Sequence, residues 1–193
     1  MIVTKDTKLH DVVIAEPAVI AVLSRFGITL GIGDNTVRHI CLERGINDTF
    51  FVAVLNAFIN RDYAGCDAFA ACKQLAADFL KRTADYYSRF LIPNVEQHFN
   101  LLIRRNTAVN SNLELMHNFF GEVKSDIAAT VCAVGDRPTP CCAVEEKLGD
   151  LISMFVIHLS GNYDVNLCQA VLFAIIGLKK DISLYNRICS SLG

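Results

Sequence analysis

Four long stretches of this chain repeat their packing residues at intervals of three and four, and no stretch alternates with the period of two that a half-buried strand requires. Phe79, Thr83, Tyr86/Tyr87 and Phe90 stripe the first stretch, and Met116, Phe119/Phe120, Val123, Ile127 and Val131 stripe the second. Val144, Leu148, Leu151, Phe155 and Leu159 mark the third, and Leu167, Val171, Ile175, Leu178, Ile182 and Tyr185 the fourth. Residues so spaced fall on one face of a helix, which must be buried against another. Four such helices joined by polar connections predict a four-helix bundle, and the fold class is all-α. Pro93 is expected to bend the first helix without ending it. "GDRPTP" (135–140) is the clearest interhelical break, because its prolines and glycine do not continue a helix.

The first sixty residues hold shorter helical segments. "LHDVVIAEP" comes first, and Pro17 suits the first turn of a second helix, where no amide partner is needed. That helix places Val19, Val22, Leu23 and Phe26 on one face and stops at Gly27. "DNTVRHICLERG" offers Asp34 as N-cap and Gly45 as stop, and "DTFFVAVLNAFI" begins a further helix at Asp48. The expected organisation is a small helical domain over 1–60, a linker with some local helix over 61–74, and the bundle over 75–193.

Hydrophobic residues make up 52% of the 193 and charged ones 20%, which excludes disorder. Eighteen basic against twenty acidic residues give a net charge of -2, with no basic surface for nucleic acid or anionic membrane. "MIVTKDTKLHDVV" lacks the apolar run of a signal peptide, and "LISMFVIHL" is too short to span a bilayer. Eight cysteines without a CxxC pair read as buried thiols of a reducing cytoplasm. The adjacent Cys141 and Cys142 are the one place where a redox pair is conceivable, but the surrounding sequence supplies no electropositive setting.

Catalytic motifs are lacking. "GIGDNT" has neither GxGxxG nor a P-loop lysine and reads as a turn with a cap, and no GxSxG elbow is present. The five histidines, at 10, 39, 98, 117 and 158, form no HxxE, HxxxH or HExxH. They read as surface or capping residues, with His117 beside Glu114 or Glu122 the one metal pairing worth testing.

Two longer phrases carry a resemblance. "EPAVIAVLSRFGITLGIGDNTVRHICLERGIN" resembles the small N-terminal domain of bacterial iron-centre repair proteins, and residues 75–192 are similar to the hemerythrin-like bundles that follow it. The closer likeness is to a group of regulators in which both domains precede a helix-turn-helix. The resemblance implies paired cysteines within a "GIDFCCGG" phrase, where this chain has Leu30 and Gly31. Only Cys41 fits the downstream cysteine. It also implies a di-iron site of histidines and carboxylates from four helices. At the matched positions stand Ala84, then Thr130 and Val134, then Cys141 and Glu145, and finally Tyr185 or Asn186.

With no histidine in a matched slot, the expected function is a non-enzymatic sensing or protein-interaction module that uses no cofactor. Its partner would be another protein, either a regulator or a second copy, because no basic recognition helix is present. The alternative is an iron-binding or iron-sulfur-repair protein, or a di-iron sensor, with shifted ligands; Cys141, Glu145, His117 and Asp181 would then have to converge. A third reading is an apolar pocket lined by Tyr86, Phe120 and Phe155.

Overall fold

A computed structural model describes residues 1–65, 67–105, 110–131 and 138–192. Among them the fold is all-α, and the only extended pairing is an antiparallel bridge between Lys8 and Thr36. The helices are α1 (Leu9–Ala15), α2 (Ile20–Arg25), α3 (Val37–Arg44), α4 (Asp48–Ile59), α5 (Asp67–Ala71), α6 (Lys73–Tyr86), α7 (Ile92–Arg105), α8 (Ser111–Thr130), α9 (Cys142–Ser153) and α10 (Val165–Leu192). A 3-10 turn over Pro17–Val19 leads into α2, and π turns follow α6 (Tyr87–Leu91) and α9 (Met154–His158). The chain forms two compact units, one of 1–83 with 187–193 and one of 84–186. No described helix is long and apolar enough to cross a membrane.

In the first unit, α4 buries nearly every face. Phe50, Phe51, Val54, Leu55 and Phe58 are all within the core, joined by Leu9, Val12, Val22 and Leu23. Gly27 and Gly45 end α2 and α3 in left-handed backbone, with φ of 71° and 64°, as a stop without a Cβ penalty requires. The start of α3 differs from expectation. Thr36, not Asp34, caps it, its Oγ1 accepting the His39 N–H at 3.3 Å. Asp34 is held by Lys8 at 2.8 Å, and residues 35–37 are drawn into backbone bonds with Thr7 and Leu9, so the helix cannot begin earlier.

Asn56 lies inside α4 at 2% exposure and is satisfied by an edge of chain rather than by water. Its Oδ1 accepts the Val3 N–H at 2.8 Å and its Nδ2 donates to the Val3 carbonyl at 2.8 Å, fastening the amino-terminal segment to the helix. Arg187 does the same for the last turn of α4. It donates to the carbonyls of Ala57 in the last turn, of the C-cap Asn60 and of Tyr63 in the segment that follows. The segment read as a linker carries α5, whose Phe69 is fully buried and meets Phe50 edge-on at 6.0 Å.

In the second unit the pairing of successive helices is antiparallel. Glu96 of α7 meets Lys124 of α8 at 2.7 Å, and Phe99 stacks on Phe120 at 5.4 Å. Asp126, late in α8, meets Lys147, early in α9, while Asn112 at the start of α8 donates to the His158 carbonyl beyond α9. Glu145 near the start of α9 reaches Asn186 near the end of α10.

Most residues of the stripes read from the sequence are buried; Tyr86, Phe119, Leu159 and Leu167 are half-buried, and one residue lies outside. Thr83 and Tyr87 are interior, but Phe90 is 64% exposed. The cause is Pro93, whose ring would strike the Arg89 carbonyl and which offers no N–H. The chain widens into the π turn, where the Ile92 N–H reaches back five residues to the Tyr87 carbonyl. Burial therefore steps from Tyr87 to Ile92 and continues through Val95, Phe99 and Leu102, leaving Phe90 outside. As expected, the proline does not end the helical path. Of "GDRPTP", residues 135–137 lie outside the described residues, and 138–140 are not helical.

Candidate functional site

The chemistry-bearing residues that the structure brings together lie where α9 begins. Cys141 is the N-cap of α9, with no side-chain bond to its own helix, so its backbone and the first turn need an outside acceptor. Asn186 of α10 supplies it. Its Oδ1 accepts the Cys141 N–H at 2.7 Å and lies 3.3 Å from Cys141 Sγ, which donates to it. Its Nδ2 donates to Glu145 Oε2 at 2.9 Å. Cys141 and Glu145 are four residues apart, which sets them one helical turn from each other on one face. Cys141 and Asn186 are 4% and 6% exposed, so these bonds are made largely away from water.

An amide suits this place because its two ends do opposite work. The oxygen takes the donors of Cys141, and the nitrogen feeds a carboxylate. Histidine would offer one donor and one acceptor in a ring, and aspartate would set a second negative charge beside Glu145. The result is a thiol, an amide and a carboxylate that satisfy one another.

The remaining residues singled out from sequence do not join it. Asp181 is buried on α10 at 2% exposure, five residues before Asn186. His117 is on α8 with its ring 5.4 Å from that of Phe99. Among the described residues no three of His, Cys, Asp and Glu are grouped so as to hold a metal ion, so Cys141, Glu145, His117 and Asp181 do not form a shared ligand set. Thr130 is exposed and donates to the Asp126 carbonyl within its own helix, while Val134 lies outside the described residues. Tyr185 is buried next to Asn186, and Ala84 is half-buried.

Two of the other histidines are engaged through their rings, at 98 and 10. His98 Nδ1 is 2.7 Å from the Asn94 carbonyl, His10 lies between Asp11 and Asp34, and His39 contributes its backbone N–H to the Thr36 cap. Phe120 and Phe155 both pack on Phe99, at 5.4 and 5.6 Å, whereas Tyr86 pairs with Tyr87 and Phe90. Phe99 thus packs against two of the three residues of the third reading, Phe120 and Phe155.

Cysteine chemistry divides by burial. The Cys41 thiol is pushed up to about 11, first by burial and then by the Asp48 carboxylate, so it stays protonated at neutral pH. Burial also raises Cys168. Cys142 is exposed, and no described cysteine is in a disulfide. Leu30 is 63% exposed and Gly31 takes φ of 89°, a conformation unfavourable to a cysteine at that position.

Sequence reasoning treated Asn186 only as a slot without a ligand, and it passed over Asn56 and Arg187. The available signal was an asparagine set among the apolar positions of a strongly patterned helix, since a buried amide must find partners. The chain matches no family model, no curated protein and no solved structure.

Proposed function

We propose that this chain is a non-enzymatic sensing or protein-interaction module, in which residues 84–186 are the larger part of an up-down bundle of the hemerythrin-like kind without its di-iron site. The observation that carries this reading is the Cys141–Asn186–Glu145 cluster. Three positions that the resemblance matches to metal ligands hold side chains that are hydrogen-bonded to one another. A metal there would have to break those bonds and strip a proton from a buried thiol.

Support for a protein partner comes from α10. Its buried face runs through Val171, Ile175, Leu178 and Ile182, yet Val165, Phe173 and Ile176 are 56, 70 and 42% exposed on the other side. Apolar side chains gathered on one exposed helix face are a feature of association surfaces. Either a second copy or a regulator protein is compatible with it.

Elemental analysis of protein purified from cells supplied with iron, zinc and manganese tests the reading. The expected result is no metal in stoichiometric amount. Two irons per chain, lost on Glu145→Gln, would establish the competing di-iron sensor with shifted ligands.

A further inference from the structure

The first unit contains a cleft of about 200 Å³ that the preceding reading does not use. Phe26 and Phe79 form its apolar wall, stacked with centroids 5.2 Å apart, and Arg44, Arg82, Asn47 and Asp78 line it with polar groups. Both arginines are positioned by the end of α2. Arg44 donates through one terminal nitrogen to the Gly27 carbonyl at 2.7 Å, and Arg82 does so to the Arg25 carbonyl at 3.3 Å.

Each guanidinium has five N–H donors, so one such bond orients it and leaves the others for a ligand. Neither arginine is within ion-pair distance of a carboxylate among the described residues. Asn47 uses its Oδ1 to cap α4 through the Phe50 N–H at 2.9 Å, which leaves its Nδ2 as a third donor. Asp78 Oδ1 accepts from Gln74 at 3.1 Å. Two cations and an amide donor face one anion beside stacked rings.

We propose that this cleft binds a small monocyclic aromatic carboxylate. The ring would lie against Phe26 and Leu75, since Phe79 is 3% exposed and is covered by Phe26 and by the Arg25 guanidinium 4.9 Å from its centroid. The carboxylate would take donors from Arg44, Arg82 and Asn47. Paired guanidiniums match the planar geometry of a carboxylate. An apolar cavity of about 150 Å³ accommodates benzene, so this volume admits one ring with a short acidic arm. A bare inorganic anion would leave the aromatic wall unused. A neutral aromatic molecule would leave the arginines without a counter-charge. The inference supplies a ligand class for sensing, and it stands on the first unit alone.

Titration of the full chain with phenylacetate, followed by calorimetry and by saturation-transfer NMR, is the test. Saturable binding is expected, weakened about tenfold or more in Arg44→Gln and in Arg82→Gln, the cost of losing a charge-assisted bond. Asp78→Asn removes the one like charge and is expected to tighten it. Benzyl alcohol and inorganic phosphate should each bind far more weakly. Arg44, Arg82 and Asp78 are exposed, so the variants keep the fold, which circular dichroism checks. No saturable binding of phenylacetate, binding by both arginine variants as tight as by the parent, or phosphate competing as well as phenylacetate would overturn the proposal. None of these outcomes bears on whether the second unit holds metal, so the two readings fail separately.

Discussion

Asn186 Oδ1 lies 2.7 Å from the Cys141 backbone nitrogen, so α10 provides the acceptor that α9 does not provide for itself. Removing it strands a buried donor and releases Glu145. Asn186→Ala should therefore lower unfolding free energy by about 1–3 kcal/mol, read from urea denaturation. Asn186→Asp should cost at least as much near neutral pH, because it sets two carboxylates together, and should recover as the pH is lowered. An Asn186→Ala variant as stable as the parent would remove the cluster from any structural account.

Phe99 and Phe90 make a sharper pair. Phe99 is fully buried against Phe120 and Phe155, whereas Phe90 stands outside the π turn. Phe99→Ala should destabilise by about 3–5 kcal/mol. Phe90→Ser should stay within about 0.5 kcal/mol. Equal losses would mean that the register does not shift at Pro93.

Thiol labelling should follow exposure. Cys142 should be alkylated rapidly by iodoacetamide near neutral pH, and Cys41 only on unfolding, as peptide mass spectrometry would resolve. The same thiol gives a pH dependence. Its folded value of about 11 lies above the ordinary 9.0, so the unfolded chain releases the proton first. Its contribution is unchanged below about pH 9, and stability falls as the pH rises from there toward 11. Cys41→Ala should remove that part of the alkaline loss.

Acid should act on the amino-terminal unit in the opposite sense. Lys5 Nζ donates to Asp48 Oδ1 at 2.8 Å and holds its carboxyl below the ordinary 3.8. The unfolded chain then binds the proton more readily, so this stabilisation is present above 3.8 and is lost as the pH falls through the lowered value. Both partners are partly exposed, so the effect should be small and screened by salt. NMR titration of the Asp48 carboxyl, with and without Lys5→Ala, would show the lowered midpoint return toward its ordinary value.

Much of the fold was legible because burial on a helix leaves a period in the sequence. The stripes through Met116, Val123 and Ile127, through Val144, Leu148 and Leu151, and through Val171, Ile175 and Ile182 are all interior. Gly45 and the Asp48 start of α4 were readable as well, since both depend on local backbone chemistry. Asp34 failed as a cap because a distant strand-like pairing claimed the residues after it. Phe90 failed because one wide turn moves every later side chain by a residue, which no count of threes and fours contains.

The candidate site was less legible. Cys141 and Glu145 could be paired from their spacing, but Asn186 is 41 residues from Glu145, and only packing brings them together. The cleft of Phe26, Arg44, Asp78, Phe79 and Arg82 likewise draws on three separate helical segments, none of which carries a motif.

By itself the sequence determined an all-helical chain, the apolar face of each long helix and the stops at its glycines, because propensity, periodicity and capping act over one or two turns. Tertiary structure alone decided which amide meets which thiol, which arginines share an opening, and on which side of a π turn an aromatic ring falls. Those outcomes depend on distances between residues far apart in the chain, which local energies leave open until the core closes.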